Sequence, residues 1–289
     1  SDLINDKPTV NSKVQIDEIV SGQRAFQKAL IPNEVTDFVL HSPYFVRAGH
    51  EANFHIGYVC GNKSYFHPSA DAISKYGIPA ESLISSVVSS RQIGKAGLKT
   101  SELRKIEKLW LPKRELSASE KSYVAYGEKE KISEGYKCRT RKPWWRVPSV
   151  NTPDAILSVF GDAPRVMLND AGLTFSNSLL GAYLRDGINA TSFCLTWYSS
   201  LTLLSIELEI HSLGGGVLVA VPRETSQVLK VGSRYCNPAL ESKIEAGLQS
   251  QLVRNGYTAG DVLLESLIGS DMTSKIVKAA NDLREWRVR

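Results

Sequence analysis

The 289-residue chain has no run of about 18 consecutive apolar residues, so nothing in it reads as a membrane span. Its opening, SDLINDKPTV, lacks the basic and apolar regions of a secretory signal and begins without methionine, so the chain reads as an excised fragment or a processed product. Cysteine is scarce. Cys60, Cys138, Cys194 and Cys236 stand far apart with no C-x-x-C spacing, which argues against structural zinc and disulfides and for a reducing, cytoplasmic setting. His41, His50, His55, His67 and His211 show no H-x-x-x-H spacing, so no metal site is expected. No G-x-S-x-G and no local Cys/His pairing occurs, and no catalytic residue is assigned. Internal repeats and low-complexity tracts are also missing.

What the chain does have is unevenly placed charge. The net charge is +5, but residues 99–146 hold 14 Lys and Arg against 7 Asp and Glu, so this segment carries +7 and the remainder −2. A confined basic excess suits an anionic partner, although many charge runs are only solvated faces. At its end stands RTRKPWWRVP, residues 139–148, where Arg139, Arg141, Lys142 and Arg146 surround Trp144 and Trp145. Arg and Lys neutralise phosphates and bond base edges, and aromatic rings stack on bases. Pro143 and Pro148 suggest an extended segment, in which neighbouring side chains point to opposite sides. One tryptophan then anchors in a core while the other faces outward or shields the first.

Periodicity gives a mixed α+β chain. FHIGYV (54–59) reads as a strand, CGNK (60–63) as a turn, and SYFH (64–67) as a second extended segment. HPSADAISKYGIP (67–79) reads as a short helix ended by Gly77. TSELRKIEKLWL (100–111) has helical spacing, SYVAYG (122–127) alternates like a strand, and NTPDAILSVF (151–160) carries a helix-start signal. RVMLND and LTFSNS read as two strands around Asp170-Ala171-Gly172, FCLTWY (193–198) as a strand, and SLTLLSIELEIHS (200–212) as a helix. Gly214, Gly215 and Gly216 follow that helix and precede the strand VLVAVP, the reverse of a cofactor loop. They serve either as a helix cap or as a close backbone approach to phosphate. From Asn237 the pattern turns helical, with Leu240, Ile244, Leu248 and Leu252 in one stripe and Ile276, Ala280 and Leu283 in another.

Three blocks, in this order, resemble the target-recognition region of adenine-specific DNA methyltransferases of type II restriction–modification systems, fused restriction–methylation enzymes included. HIGYVCGNKSYFHPSADAISKYGIP (55–79) is similar to the family's I-G-x-V-T-G-x-N-x-F-F block, with Cys60 where Thr is usual. VAYGEKEKISEGYKCRTRKPWWRVP (124–148) is similar to its Y-G-E … Y-x-C-R-x-R-x-P-W-W block. PRVMLNDAGLTFSNSLLGAYL (164–184), followed by HSLGGGVLVAVPRE (211–224), is similar to its N-x-x-G-x-x-x-x-N and G-G-G-x-L-x-x-x-P segments.

The resemblance implies a bacterial protein that docks on double-stranded DNA beside a separate methyltransferase catalytic domain or subunit. That domain would hold S-adenosylmethionine and the flipped adenine. This chain is expected to bind no cofactor and not to methylate alone. HSPYF (41–45) has one proline where the amino-methyltransferase tetrapeptide (N/D/S)-P-P-(Y/F) needs two. Residues 1–50 are then a connector with short elements, 51–233 a mixed α+β recognition domain, and 234–289 a helical tail for packing or subunit contact. Lys63, Arg91, Arg139, Arg141, Lys142 and Arg146 are the expected phosphate or base contacts, with Trp144 and Trp145 beside them. Asn62, Gln92, Asn169 and Asn177 are further candidates, the last two serving equally well as turn bonds, and Gly214, Gly215 and Gly216 would let backbone approach. Two other readings stay open: an interaction module docking a catalytic partner through the tail, and an enzyme whose site is not visible locally.

Overall fold

The computed structural model describes residues 30–94, 96–113, 115–250 and 252–289. The chain divides into two compact units, and each is built from non-contiguous segments. One is a sheet unit of Ala52–Phe160 with Pro164–Asp186; the other is a helical unit of Gly161–Ala163, Gly187–Arg289 and the described residues up to Glu51. The line at Glu51/Ala52 falls one residue from the expected 50/51, whereas the expected line at 233/234 has no counterpart. The proposed tail belongs with everything from Gly187 onward, and the described residues before Ala52 join the same unit. The first 29 residues of the expected connector lie outside the described residues.

In the sheet unit, four strands lie in the order Ala52–Ile56, Leu179–Leu184, Ala155–Ser158, Val166–Leu168, each antiparallel to its neighbours. Ala155–Ser158 is buried along its whole length. That corrects the helix expected over 151–160. The cue Thr152-Pro153-Asp154 is present, but Asp154 accepts from the Leu184 backbone N–H at 2.8 Å, and the apolar run after it fills an internal strand. A second sheet orders Glu107–Trp110, Leu83–Val87 and Thr174–Phe175. The helix expected over 100–111 is therefore a single 3-10 turn, Thr100–Glu102, followed by a strand. Ser101 and Thr100 bond the Asp170 carboxylate and start that turn. The strands expected on both sides of Asp170-Ala171-Gly172 are present as Val166–Leu168 and Thr174–Phe175. Val87, Ile93, Ile156, Met167, Phe175 and Leu179 form the core behind the sheets.

Two extended segments are helical instead. Ser117 and Glu120 form a reciprocal capping box that starts the helix Ala118–Lys129, where SYVAYG suggested a strand. The S-x-x-E signal was in the sequence and outweighs the local alternation. Lys63–Phe66 is one helical turn capped by Asn62. The short helix Ala70–Tyr76 ends at Gly77 in the left-handed region, as its sequence predicts.

In the helical unit, Ala190–Trp197 is a helix capped by Asn189, where FCLTWY suggested a strand. Ser200–Glu209 follows, buried on nearly every side, and packs on Ser270–Val288. Ile276, Ala280 and Leu283 are buried as the stripe predicts. Leu240, Ile244 and Leu248 are buried too, whereas Leu252 is exposed beyond the end of the helix Glu241–Gln249. The helix Val253–Ile268 had no clear sequence signal, because Gly256 and Gly260 dilute its pattern. Gly260 has a packing reason: a Cβ there would lie 1.6 Å from the Tyr198 carbonyl oxygen. The two-stranded pairing of Phe45–Arg47 with Leu229–Val231 completes this unit, together with the helix Asn33–His41.

Candidate nucleic-acid interface

The sheet unit builds a rigid aromatic floor. Tyr65 and Tyr123 stack with ring centroids 4.5 Å apart and planes 2° from parallel. Each phenol donates to the other residue's carbonyl, Tyr65 to Tyr123 at 3.0 Å and Tyr123 to Tyr65 at 2.6 Å. Trp110 meets both rings edge-on, at 5.8 and 5.0 Å. Burial pushes the Tyr65 and Tyr123 phenols far above their ordinary pKa, so they stay protonated and keep donating.

Both tryptophans of RTRKPWWRVP dock on this floor. Trp144 packs 5.5 Å from Tyr65 and donates its indole N–H to the Glu128 carboxylate at 3.2 Å. It sits directly over Gly127, where a Cβ would come 2.6 Å from the indole. Trp145 lies 6.4 Å from Trp110. The expectation of one anchored and one outward tryptophan assumed an extended chain. Instead the segment turns, with the Arg146 N–H bonded to the Pro143 carbonyl at 3.1 Å, and both rings reach the same core, each half-buried.

The arginines separate by partner. The Arg141 guanidinium donates to the carbonyls of Cys60, at 2.9 Å, and Val59, tying this block to the 59–62 loop. It is a fastening within the unit and does not face outward. Burial pushes the Cys60 and Cys138 thiols above their usual range despite the nearby guanidinium, so both stay protonated. Arg139, Lys142 and Arg146 are exposed, and among the described residues no carboxylate pairs with them. Lys63 is exposed in the adjoining capped turn, and a Cβ at Gly61 would come 3.0 Å from Cys138 Sγ and 3.1 Å from Lys137.

Sequence reasoning missed Tyr136 and Lys137. The short helix Tyr136–Arg139 buries only Cys138. It leaves Tyr136 65% exposed, with the Lys137 ammonium 5.3 Å and the Arg139 guanidinium 5.5 Å from its ring. The signal was the aromatic–cation spacing Y-K-C-R, overshadowed by the tryptophans beside it.

Other candidates have structural duties. Asn62 accepts from the Tyr65 N–H at 2.9 Å and the Ser64 hydroxyl at 3.0 Å. Gln92 accepts from the N–H groups of Val88 and Ser89 and donates to the Lys105 carbonyl. Asn169 is buried and uses both ends of its amide, donating to Pro153 and Leu173 and accepting from Leu173 and Thr100. Arg91 and Asn177 are exposed. Gly214, Gly215 and Gly216 all have positive φ and belong to the helical unit, where the Gly216 carbonyl accepts from Arg287.

Beside Lys63, an open recess of about 470 Å³ is lined by Asn62, Lys63, Ser64, His67 and Glu107. The buried His67 bonds the Lys63 carbonyl through Nδ1 at 3.0 Å and the Tyr58 hydroxyl through Nε2 at 2.8 Å. A carbonyl only accepts, so Nδ1 carries the proton and Tyr58 donates to Nε2. Tyr58 in turn accepts from the Ser86 hydroxyl at 2.5 Å. Burial lowers the His67 pKa and keeps the ring neutral at pH 7. Among the described residues, no group of three or more His, Cys, Asp or Glu gathers as for a metal.

Comparison with known proteins bears on the fold and the family. No curated protein sequence matches the chain. Among solved structures, the type IIG restriction endonuclease BpuSI superposes with a TM-score of 0.55 at 11% identity, over 88% of this chain and 33% of that one. The likeness is one of fold, and the chain spans about a third of the length of that enzyme. The family of the C-terminal domain of the type II methyltransferase M.Eco57I matches residues 25–262. The mixed fold and that match over most of the sequence identify the chain as a member of this restriction–modification methyltransferase C-terminal domain family.

Proposed function

We propose that the sheet unit reads double-stranded DNA as the target-recognition part of an adenine-specific methyltransferase in a restriction–modification system. The observation that carries the reading is the set of exposed cations Lys137, Arg139, Lys142 and Arg146 in the segment that docks on the core of Tyr65, Tyr123, Trp144 and Trp145. Cations on a preformed surface neutralise phosphates with little ordering cost, and the exposed Tyr136 ring adds a stacking face. The half-buried tryptophans hold the surface in shape rather than wedge into DNA. A catalytic domain or subunit outside this chain would hold S-adenosylmethionine and the flipped adenine.

The test is a titration of the whole chain with labelled duplex DNA at several salt concentrations. Each neutralised phosphate contributes about −0.9 to the slope of log affinity against log salt, so several contacts give a steep loss. A flat response overturns the reading. A second reading has its own support in the helical unit, where Leu213, Val217, Trp286 and Val288 are exposed apolar residues. They suit a docking face for the catalytic partner, and DNA binding that appears only when that partner is added would favour it.

A further inference from the structure

The recess beside Lys63 presents an unequal set of groups. The Asn62 amide oxygen is occupied by the Tyr65 and Ser64 donors, and both His67 ring nitrogens are bonded. What remains to face a ligand is the Lys63 ammonium, the N–H donors of the Asn62 amide, the lone pairs of the Ser64 hydroxyl and the Glu107 carboxylate. Glu107 forms a loose ion pair with Lys105 at 3.8 Å, whose own side chain is 77% exposed. The supports are stiff. Lys63 sits in a capped turn, and Glu107 opens a strand paired to Ser86, whose hydroxyl belongs to the bonded set beneath the recess.

A phosphate would be drawn by Lys63 but repelled by Glu107, so the recess is a poor backbone contact. A base-pair edge is different. In the major groove a C·G pair shows guanine O6 and N7 as acceptors beside the cytosine N4 amine as donor. A cationic donor and a carboxylate acceptor lining one recess match that pattern.

We propose that Lys63 and Glu107 are specificity-determining residues that read one C·G pair in the major groove, Lys63 donating to guanine O6 and N7 and Glu107 accepting from cytosine N4. The assignment rests on the DNA-reading function proposed above. It also separates Lys63 from Arg139, Lys142 and Arg146, which serve phosphates.

The test is selection from a pool of randomised duplex oligonucleotides by the whole chain, followed by sequencing, for the wild type, Glu107→Gln and Lys63→Met. The expected result is an enriched site in which one C·G position loses about tenfold of its discrimination in both variants. The other positions hold, and Glu107→Gln leaves the salt slope unchanged. Lys63 is exposed, so its variant keeps the test alive if Glu107→Gln fails to fold. Unchanged preference at every position in both variants, or a change confined to A·T positions, overturns the assignment while the DNA-reading function stands. If the wild type enriches no site and binds without salt dependence, the underlying function fails first.

Discussion

The two units treat arginine in opposite ways. Over its full extent the sheet unit carries 20 Lys and Arg against 12 Asp and Glu, a net +8, while the helical unit carries 15 against 18, a net −3. In the helical unit Arg254, Arg284 and Arg287 are consumed internally. Arg254 and Arg287 each reach Glu207 at 2.6 Å, and all three reach Asp162 at 2.7–3.0 Å. Burial alone would raise the Asp162 pKa, but the guanidiniums of Arg284, Arg287 and Arg254 more than offset it and hold the carboxyl below its ordinary range. In the sheet unit Arg141 and Arg165 are fastened to carbonyls, while Arg139, Lys142 and Arg146 stay exposed with no carboxylate paired to them among the described residues. Counting arginines therefore says little about anion binding; what each guanidinium already bonds decides it.

The largest effect that separates the units is expected from Glu207→Gln. Glu207 is nearly fully buried between two guanidiniums, and breaking a buried pair costs about 3–5 kcal/mol. Denaturant melts should show the helical unit unfolding early while affinity for DNA per folded molecule is kept. An equal loss of affinity would undo the division of labour. Gly127→Ala is the counterpart in the sheet unit. Its Cβ would press on Trp144 and Tyr65 at 2.6 and 2.8 Å, for about 1–3 kcal/mol of overpacking, and DNA binding should weaken along with stability.

Arg139→Ala combined with Arg146→Ala should leave the melt unchanged and flatten the salt slope by about 2, roughly one unit per lost phosphate contact. Arg141→Ala should do the reverse, lowering stability by about 1–3 kcal/mol with the slope intact. Similar slopes for the two variants would erase the distinction drawn from their partners.

The smallest effect is a drift with pH in the helical unit. Burial raises Asp261 to about 6, against the two hydrogen bonds it accepts from Ser200. The folded state then holds a proton that the unfolded state releases, so stability is greatest below about 4 and falls as pH rises through about 6. Asp261→Asn should remove that decline in melting temperature between pH 4 and 7. A decline that persists in the variant would place the titration elsewhere.

Much of this was legible beforehand, in a particular way. The block order 55–79, 124–148, 164–184 pointed to the family, and Gly77 marks a real helix end. What the sequence concealed was decided by tertiary partners. Ala155–Ser158 needed strands on both sides to become a strand, and Glu107–Trp110 needed Leu83–Val87. Within RTRKPWWRVP, Arg141 and Arg139 are two residues apart and chemically identical. Only the carbonyls of Val59 and Cys60, some 80 residues earlier, tell them apart.

Asp162 belongs to the helical unit, yet it lies on a three-residue stretch, Gly161–Ala163, flanked in sequence by the sheet unit. This bears on how specificity can be exchanged between relatives. A graft that replaces residues 52–186 as one cassette also replaces the residue at 162. If the donor lacks a carboxylate there, Arg254 and Arg287 keep only Glu207 and Arg284 loses its partner carboxylate. Any transplant of the reading surface has to carry an acid at that one position, or the recipient loses stability in a unit the graft was never meant to touch.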